Sequence, residues 1–165
     1  MSAGWPEDFA WDAGAISVLN DIDLAFGSCE RPVYFTDVNH CCECREHHEE
    51  LSEHPTMELR RSNLGGAAWD PICFTSPQGK AHLFPILARY SMAPSFWPKY
   101  DWYGTQLVFH LTSGGQCNEF WQSCDADQRS AVARMIEWII EHRKDEIDRY
   151  LDDDDWLAAW QLWAG

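Results

Sequence analysis

The feature that most constrains the fold is a long amphipathic segment that begins at "DADQ" in the C-terminal third of the chain. Asp125 and Gln128 have the spacing of a capping box, in which each side chain bonds to the backbone of the other residue. Apolar side chains then recur at helical intervals, and they are Val132, Met135, Ile136, Ile139 and Ile147. This pattern predicts an amphipathic helix that runs to Tyr150 and buries one face.

Helix signals recur elsewhere in the chain. "FTSPQGKAHLFPILARYSM" has Ser76 as an N-cap and Pro77 at the first helical position, and Pro85 is expected to kink or divide that helix. Asn39 is expected to cap a helix over about 40–53. No β-hairpin signature, repeat or low-complexity linker interrupts the chain. We therefore predict an all-α fold, a single compact domain over 1–165 with five to seven helices.

The charge of the chain restricts its partners. Acidic residues outnumber basic ones, 27 to 12, and the formal net charge is −15. Nucleic acids and anionic membranes are unfavourable partners for such a chain, because phosphate binding requires clustered Lys and Arg. A basic partner protein would instead be attracted over a distance. The alternative is that the acidity simply keeps the protein soluble.

The sequence also bears on location. The first residues are acidic and interrupted by Pro and Gly, so they do not resemble a secretory signal. No apolar stretch approaches the roughly 20 residues that span a bilayer. We therefore expect a cytoplasmic protein whose thiols stay reduced, and the seven cysteines are an odd number that excludes a complete disulfide framework.

The segment "NHCCECREHHEEL", residues 39 to 51, concentrates the chemistry of the chain. On an ideal helix, five of its thiol and imidazole side chains lie within one arc of about 120°. Cys42 falls on the opposite side. Thiolate and imidazole are the ligands that zinc selects, so a structural zinc site is predicted. The candidate ligands are Cys41, Cys44, His48, His40, His47 and Cys73.

One helix cannot supply the whole site. Cys41 and His48 are separated by roughly 10 Å of helical rise, too far for a single ion to contact both without strain. We expect two or three ligands from this helix and the rest from elsewhere in the chain. The candidates for completing the site are Cys73, His82, His110 and His54.

Three other interpretations of the cluster stay open. Cys41 and Cys44 form a C-x-x-C pair that could be redox-active, although the βαβ context of a thioredoxin-like fold is missing. A Cys nucleophile with a His base is a second interpretation. In the third, free cysteines simply pack and the histidines lie on a solvated face. Zinc-hydrolase motifs such as H-E-x-x-H are absent, which favours a non-enzymatic role.

Three short motifs carry a resemblance to a known family. They are "HCCEC" at 40–44, "WDPICFTSPQG" at 69–79 and "LFP" at 83–85. Together they resemble an uncharacterised bacterial family of short acidic proteins, with an H-C-x-E-C motif followed by F-x-[ST]-P and L-P segments. The matching residues are His40, Cys41, Glu43, Cys44, Phe74, Ser76 and Pro77. Gly79 replaces the usual Ala, and Phe84 replaces Leu before Pro85. The resemblance covers 40 to about 112 and implies no reaction.

The observations together predict a small acidic protein-binding module with a structural zinc-type site. Its partner would be a basic protein, in the manner of an immunity or antitoxin protein that inhibits a basic toxin or effector domain. Trp156, Trp160 and Trp163 form a helical stripe that we expect to pack in the core, whereas the aromatic residues of 97–103 are better placed for exposure. A metal-dependent hydrolase using the same cluster and a thiol-redox or metal-responsive regulator are the alternatives.

Overall fold

The computed structural model describes residues 4–165, and the described residues form eight α-helices. They are α1 (Ala13–Phe26), α2 (Cys42–Ser52), α3 (Pro77–Met92), α4 (Tyr103–Thr112), α5 (Glu119–Ser123), α6 (Ala126–His142), α7 (Lys144–Tyr150) and α8 (Asp153–Ala164). In this part of the chain the one β-type pairing is an isolated bridge between Gly66 and Trp69. The predicted all-α class is confirmed, with one helix more than the upper end of the expected range.

The long C-terminal helix is divided where the sequence suggested continuity. α6 ends at His142, and Arg143 adopts a non-helical backbone with φ −119° before α7 begins. The Arg143 Nε donates to the carbonyl of Met92 at 2.7 Å, which ties this break to the end of α3. The break therefore comes with a tertiary contact that helical periodicity does not reveal.

α3 runs through Pro85 as one helix, so the proline does not divide it. Proline removes one backbone donor, but its neighbours Leu83, Phe84, Ile86 and Leu87 are all buried in the core. We attribute the continuity of the helix to this packing on both sides of the proline. The predicted N-cap of α3 is confirmed, since Ser76 Oγ accepts from the Gly79 N–H at 3.1 Å.

One hydrophobic cluster contains side chains from all eight helices. α1 packs against α3 and α6, and α8 packs against α4 and α6. Trp156 and Trp163 lie in this core as expected, whereas Trp160 is exposed and donates from its indole Nε1 to Glu137. Within residues 4–165, no helix is both long enough and apolar enough to cross a bilayer.

The segments that carry the candidate ligands contact one another. α2 packs against a short 3-10 helix, Pro71–Phe74, which precedes α3. The carbonyl of Phe35 accepts from the Ser76 N–H at 2.9 Å, so the extended segment before α2 is held against the start of α3. Residues distant in sequence thus meet around α2.

Candidate metal centre

The start of α2 differs from the helix that the sequence predicted over 40–53. Cys41, not Asn39, is the N-cap residue, and its backbone is extended with φ −163°. The preceding residues turn instead, because the His40 N–H bonds to the Asp37 carbonyl and the Asn39 N–H to the Asp37 side chain. The Cys41 Sγ accepts from the Cys44 N–H at 3.4 Å and so acts as the capping group.

This turn gathers His40, Cys41 and Cys44, whose ligand atoms all lie within 4.8 Å of one another. The two Sγ atoms are 3.5 Å apart, and His40 Nδ1 lies 3.5 Å from the Cys44 Sγ. Cys44 is only 4% exposed, whereas His40 is exposed. The group therefore has one side against the protein interior and the other open to solvent.

The two thiols have different environments. The Cys44 N–H, followed by His40 and the Cys44 thiol, lowers the pKa of Cys41. Burial, followed by the neighbouring Cys41, raises the pKa of Cys44. Negative charge therefore develops first on Cys41, at the N-terminus of α2, where the free N–H groups and the helix dipole favour it.

His47 lies outside this group. Its ring is fully buried, with its centroid 4.5 Å from that of Trp69 and 5.2 Å from that of Phe74. Its Nε2 lies 3.4 Å from a Glu43 carboxylate oxygen, and within the described part of the chain neither ring nitrogen makes a hydrogen bond. His47 therefore packs α2 against the Pro71–Phe74 helix.

His48 also lies outside the group. Its Nδ1 accepts from the Phe35 N–H at 3.2 Å and lies at the same distance from the Ser52 Oγ. The ideal-helix projection placed His47 and His48 beside His40 and Cys41. That projection is wrong for these pairs, because His40 and Cys41 precede the helix and do not follow its angular spacing.

Cys73 belongs to a second group, with Asp70 and His110, whose ligand atoms likewise lie within 4.8 Å of one another. The Asp70 Oδ2 and the His110 Nε2 are 2.8 Å apart. Asp70 and His110 are 5% and 4% exposed, and Cys73 is exposed at the surface. Cys73 and His110, both considered as completing ligands for the first group, are thus placed together elsewhere.

The remaining histidine candidates have other roles. The His82 Nδ1 lies 2.9 Å from the Cys29 carbonyl oxygen and its Nε2 lies 2.7 Å from the Thr56 Oγ1, so both ring nitrogens are occupied. The His54 Nε2 lies 4.0 Å from a Glu53 carboxylate oxygen. Among residues 4–165, the group at the start of α2 therefore has three candidate ligands.

Sequence reasoning missed the second group. Asp70 is not among the predicted candidates, and His110 is predicted only as a ligand that completes the first group. The one local signal is the spacing of "DPIC", in which an Asp before Pro caps a turn that carries Cys73. The contribution of His110 comes from a residue 40 positions away from Asp70, and no local pattern indicates it.

The first group could hold a metal ion through one imidazole and two thiols. Thiolates and imidazole are zinc ligands, and three protein ligands leave the fourth position to water or to a group from another molecule. A closed structural site would need a fourth protein ligand.

Comparison of the chain with protein-family models, with curated proteins and with solved structures finds no match.

Proposed function

We propose that this protein is a small acidic binding module that holds a zinc-type ion through His40, Cys41 and Cys44 and docks onto a basic partner protein. The observation that carries the metal assignment is the convergence of these three ligand atoms within 4.8 Å at the start of α2. Three soft or borderline ligands at this separation need only small side-chain movements to meet one ion.

The exposed side of the group bears on its role. His40 is exposed, so an ion held here would be accessible from solvent and a partner protein could supply a further ligand. The ion would then stabilise the start of α2 and would also offer a coordination position to a side chain of the partner. Metal affinity would depend on thiol deprotonation, because the thiolate is the ligand form.

The partner assignment is supported by a groove beside α2. Its volume is about 730 Å³, and it is lined by Glu46, Glu49, Glu50, Glu53 and Trp69, among others. Trp69 is 46% exposed, so its ring is accessible from this groove. Carboxylates next to an indole ring suit an Arg side chain, which pairs with the former and stacks on the latter. An immunity or antitoxin protein that inhibits a basic toxin would need such a surface.

Metal analysis of the purified protein tests the site. We expect wild-type protein from zinc-replete cells to retain about one equivalent at this site, and Cys41→Ser or Cys44→Ser to lower the zinc content by that amount. Cys42→Ser is the matched control, because Cys42 is exposed and lies outside the group. Equal zinc content in the Cys41→Ser, Cys44→Ser and Cys42→Ser proteins would overturn the assignment.

A peptide of ten arginines tests the acidic groove. We expect it to bind the wild type more tightly at low salt, and the triple variant Glu46→Gln, Glu49→Gln, Glu53→Gln to bind at least tenfold more weakly. The control triple variant Glu7→Gln, Asp8→Asn, Glu30→Gln removes the same charge from exposed residues outside the groove. Equal loss in both triple variants would show an effect of net charge alone and would contradict the docking surface.

A thiol-redox role is the second candidate, and the 3.5 Å separation of the Cys41 and Cys44 Sγ atoms favours it. Forming a disulfide would shorten this distance to about 2 Å and would release two protons and two electrons to an oxidant such as oxidised glutathione. Thiol trapping with mass spectrometry distinguishes the candidates. A Cys41–Cys44 disulfide at cytosolic glutathione poise, in protein without zinc, would favour the redox role.

A further inference from the structure

A groove beside the Pro71–Phe74 helix is lined by two members of the second group of ligand-type side chains, Cys73 and His110. Its volume is about 760 Å³, and Cys73, Lys80, His110 and Cys117 are among the residues that line it. Cys73 and Cys117 are both exposed, but only Cys73 is grouped with Asp70 and His110. The groove thus contains one thiol with metal-ligand neighbours and one without.

Asp70 and His110 are held firmly before any ligand binds. The Asp70 Oδ1 accepts from the Ile72 N–H at 2.9 Å, and its Oδ2 faces the His110 Nε2. The backbone carbonyl of His110 accepts from the Asn118 side chain at 2.9 Å. The Asp70 Oδ2 and the His110 Nε2, 2.8 Å apart, are thus close enough to contact one ion together.

Cys73 is positioned by the same turn that Asp70 caps. The Cys73 N–H bonds to the Asp70 carbonyl at 3.2 Å, so the thiol and the carboxylate lie on one turn of the chain. His110 reaches them from α4. Ligands from two separate elements therefore converge within 4.8 Å, while the Cys73 side of the group stays exposed to the groove.

We propose that Asp70, Cys73 and His110 form a second divalent-metal site, which opens into this groove and leaves a position for water or for an anionic oxygen of a small ligand. The donor set of one sulfur, one nitrogen and one oxygen suits zinc or cobalt. Lys80 lines the same groove and makes no ion pair within residues 4–165, so its ammonium group is available to an anionic ligand.

The same three residues could instead form a nucleophile, a base and an orienting carboxylate. One observation favours the metal. No hydrogen bond joins the Cys73 thiol to His110 in the described part of the chain, although a base must reach the proton it removes.

Cobalt titration tests this site separately from the first one. In the Cys41→Ser, Cys44→Ser double variant, we expect one equivalent of Co²⁺ to bind with thiolate-to-cobalt absorption. Adding Cys73→Ser should abolish this absorption, and adding His110→Gln should weaken binding at least tenfold. Adding Cys117→Ser, the matched thiol from the same groove, should leave binding unchanged.

The results that would contradict the second site differ from those that would contradict the first. Loss of absorption in Cys117→Ser as well as Cys73→Ser, or no cobalt absorption in the double variant, would overturn the second site alone. If circular dichroism shows that the double variant does not fold, the wild type is titrated instead. In that case Cys73→Ser must remove one of the two equivalents of bound cobalt. Rapid alkylation of Cys73 by iodoacetamide that requires His110, in protein that binds no cobalt at this site, would replace the metal site with a nucleophile.

Discussion

Arg61 shows how a single residue can organise the region around the candidate sites. Its side chain is 1% exposed, and within residues 4–165 it makes no ion pair with a carboxylate. Its guanidinium donates instead to the carbonyls of Gly65 and Asp101 and to the Gln106 side chain. Burial lowers the pKa of Arg61. The cation is thus stabilised by neutral acceptors.

Removing Arg61 should therefore destabilise the fold strongly. We expect Arg61→Leu to lower the free energy of unfolding by about 3 kcal/mol, because buried acceptors lose a charged donor. The control is Arg149→Leu, an exposed position where we expect a change within about 0.5 kcal/mol. Urea denaturation measures both proteins. Equal midpoints for the two variants would contradict the role assigned to Arg61.

At the scale of elements, the joint between α7 and α8 depends on one buried carboxylate. The Thr105 Oγ1, in α4, donates to the Asp152 Oδ2 at 2.6 Å. Burial is the largest effect on Asp152 and raises its pKa above the ordinary 3.8, while this hydrogen bond opposes the shift. The nearby Asp155 and Asp153 add to the rise. Ionisation of Asp152 at neutral pH therefore destabilises the fold at the start of α8.

This effect of ionised Asp152 predicts that the stability of the fold depends on pH. Because the folded pKa is raised, the stabilising contribution of protonated Asp152 is complete below the unfolded pKa and is lost as pH rises through the folded pKa. Asp152→Asn removes the charge and keeps an acceptor for Thr105. We expect this variant to melt at a higher temperature than wild type at pH 7, and the difference to shrink towards pH 4.

Asp154→Asn is the control for this prediction, because Asp154 is exposed and also lies at the start of α8. Thermal melts of wild type and both variants across this pH range measure the effect. A lower melting temperature for Asp152→Asn than for wild type at pH 7 would show that the charge itself stabilises the joint.

At the scale of the whole molecule, charge and packing act against each other. The net charge of −15 produces repulsion across the surface, while one core joins all eight helices. Repulsion between exposed charges is screened within about 30 Å at 0.01 M salt but within about 8 Å at 0.15 M. Salt should therefore weaken the repulsion and leave the core contacts in place.

We accordingly expect metal-free protein to become more stable as sodium chloride rises from about 0.01 M to about 0.15 M. Over this range the Debye length falls from about 30 Å to about 8 Å. Thermal unfolding in the presence of a chelator measures this effect without a contribution from bound metal. The control variant Glu7→Gln, Asp8→Asn, Glu30→Gln should respond less, because it carries less negative charge. A fall in melting temperature with added salt would contradict this account.

The sequence by itself determined the local features of this protein. The capping box at the start of α6 forms as predicted, with the Asp125 N–H to Gln128 Oε1 bond at 3.0 Å and the Gln128 N–H to Asp125 Oδ1 bond at 2.8 Å. Ser76 caps α3 as predicted, through the bond from the Gly79 N–H. The apolar stripe of α6 lies in the core. Such features involve residues within a few positions of one another, so local spacing is enough to predict them.

Only the tertiary structure decided which ligand-type residues meet. His40 and Cys41 join Cys44 because a turn, and not a helix, precedes Cys42. The His48 Nδ1 accepts a hydrogen bond from the backbone N–H of Phe35, 13 positions away. Cys73 lies with His110 from α4. These pairings depend on how α2, the Pro71–Phe74 helix and α4 pack together. Residue spacing shows what a single helix can bring together, whereas contacts between helices depend on the burial of side chains throughout the core.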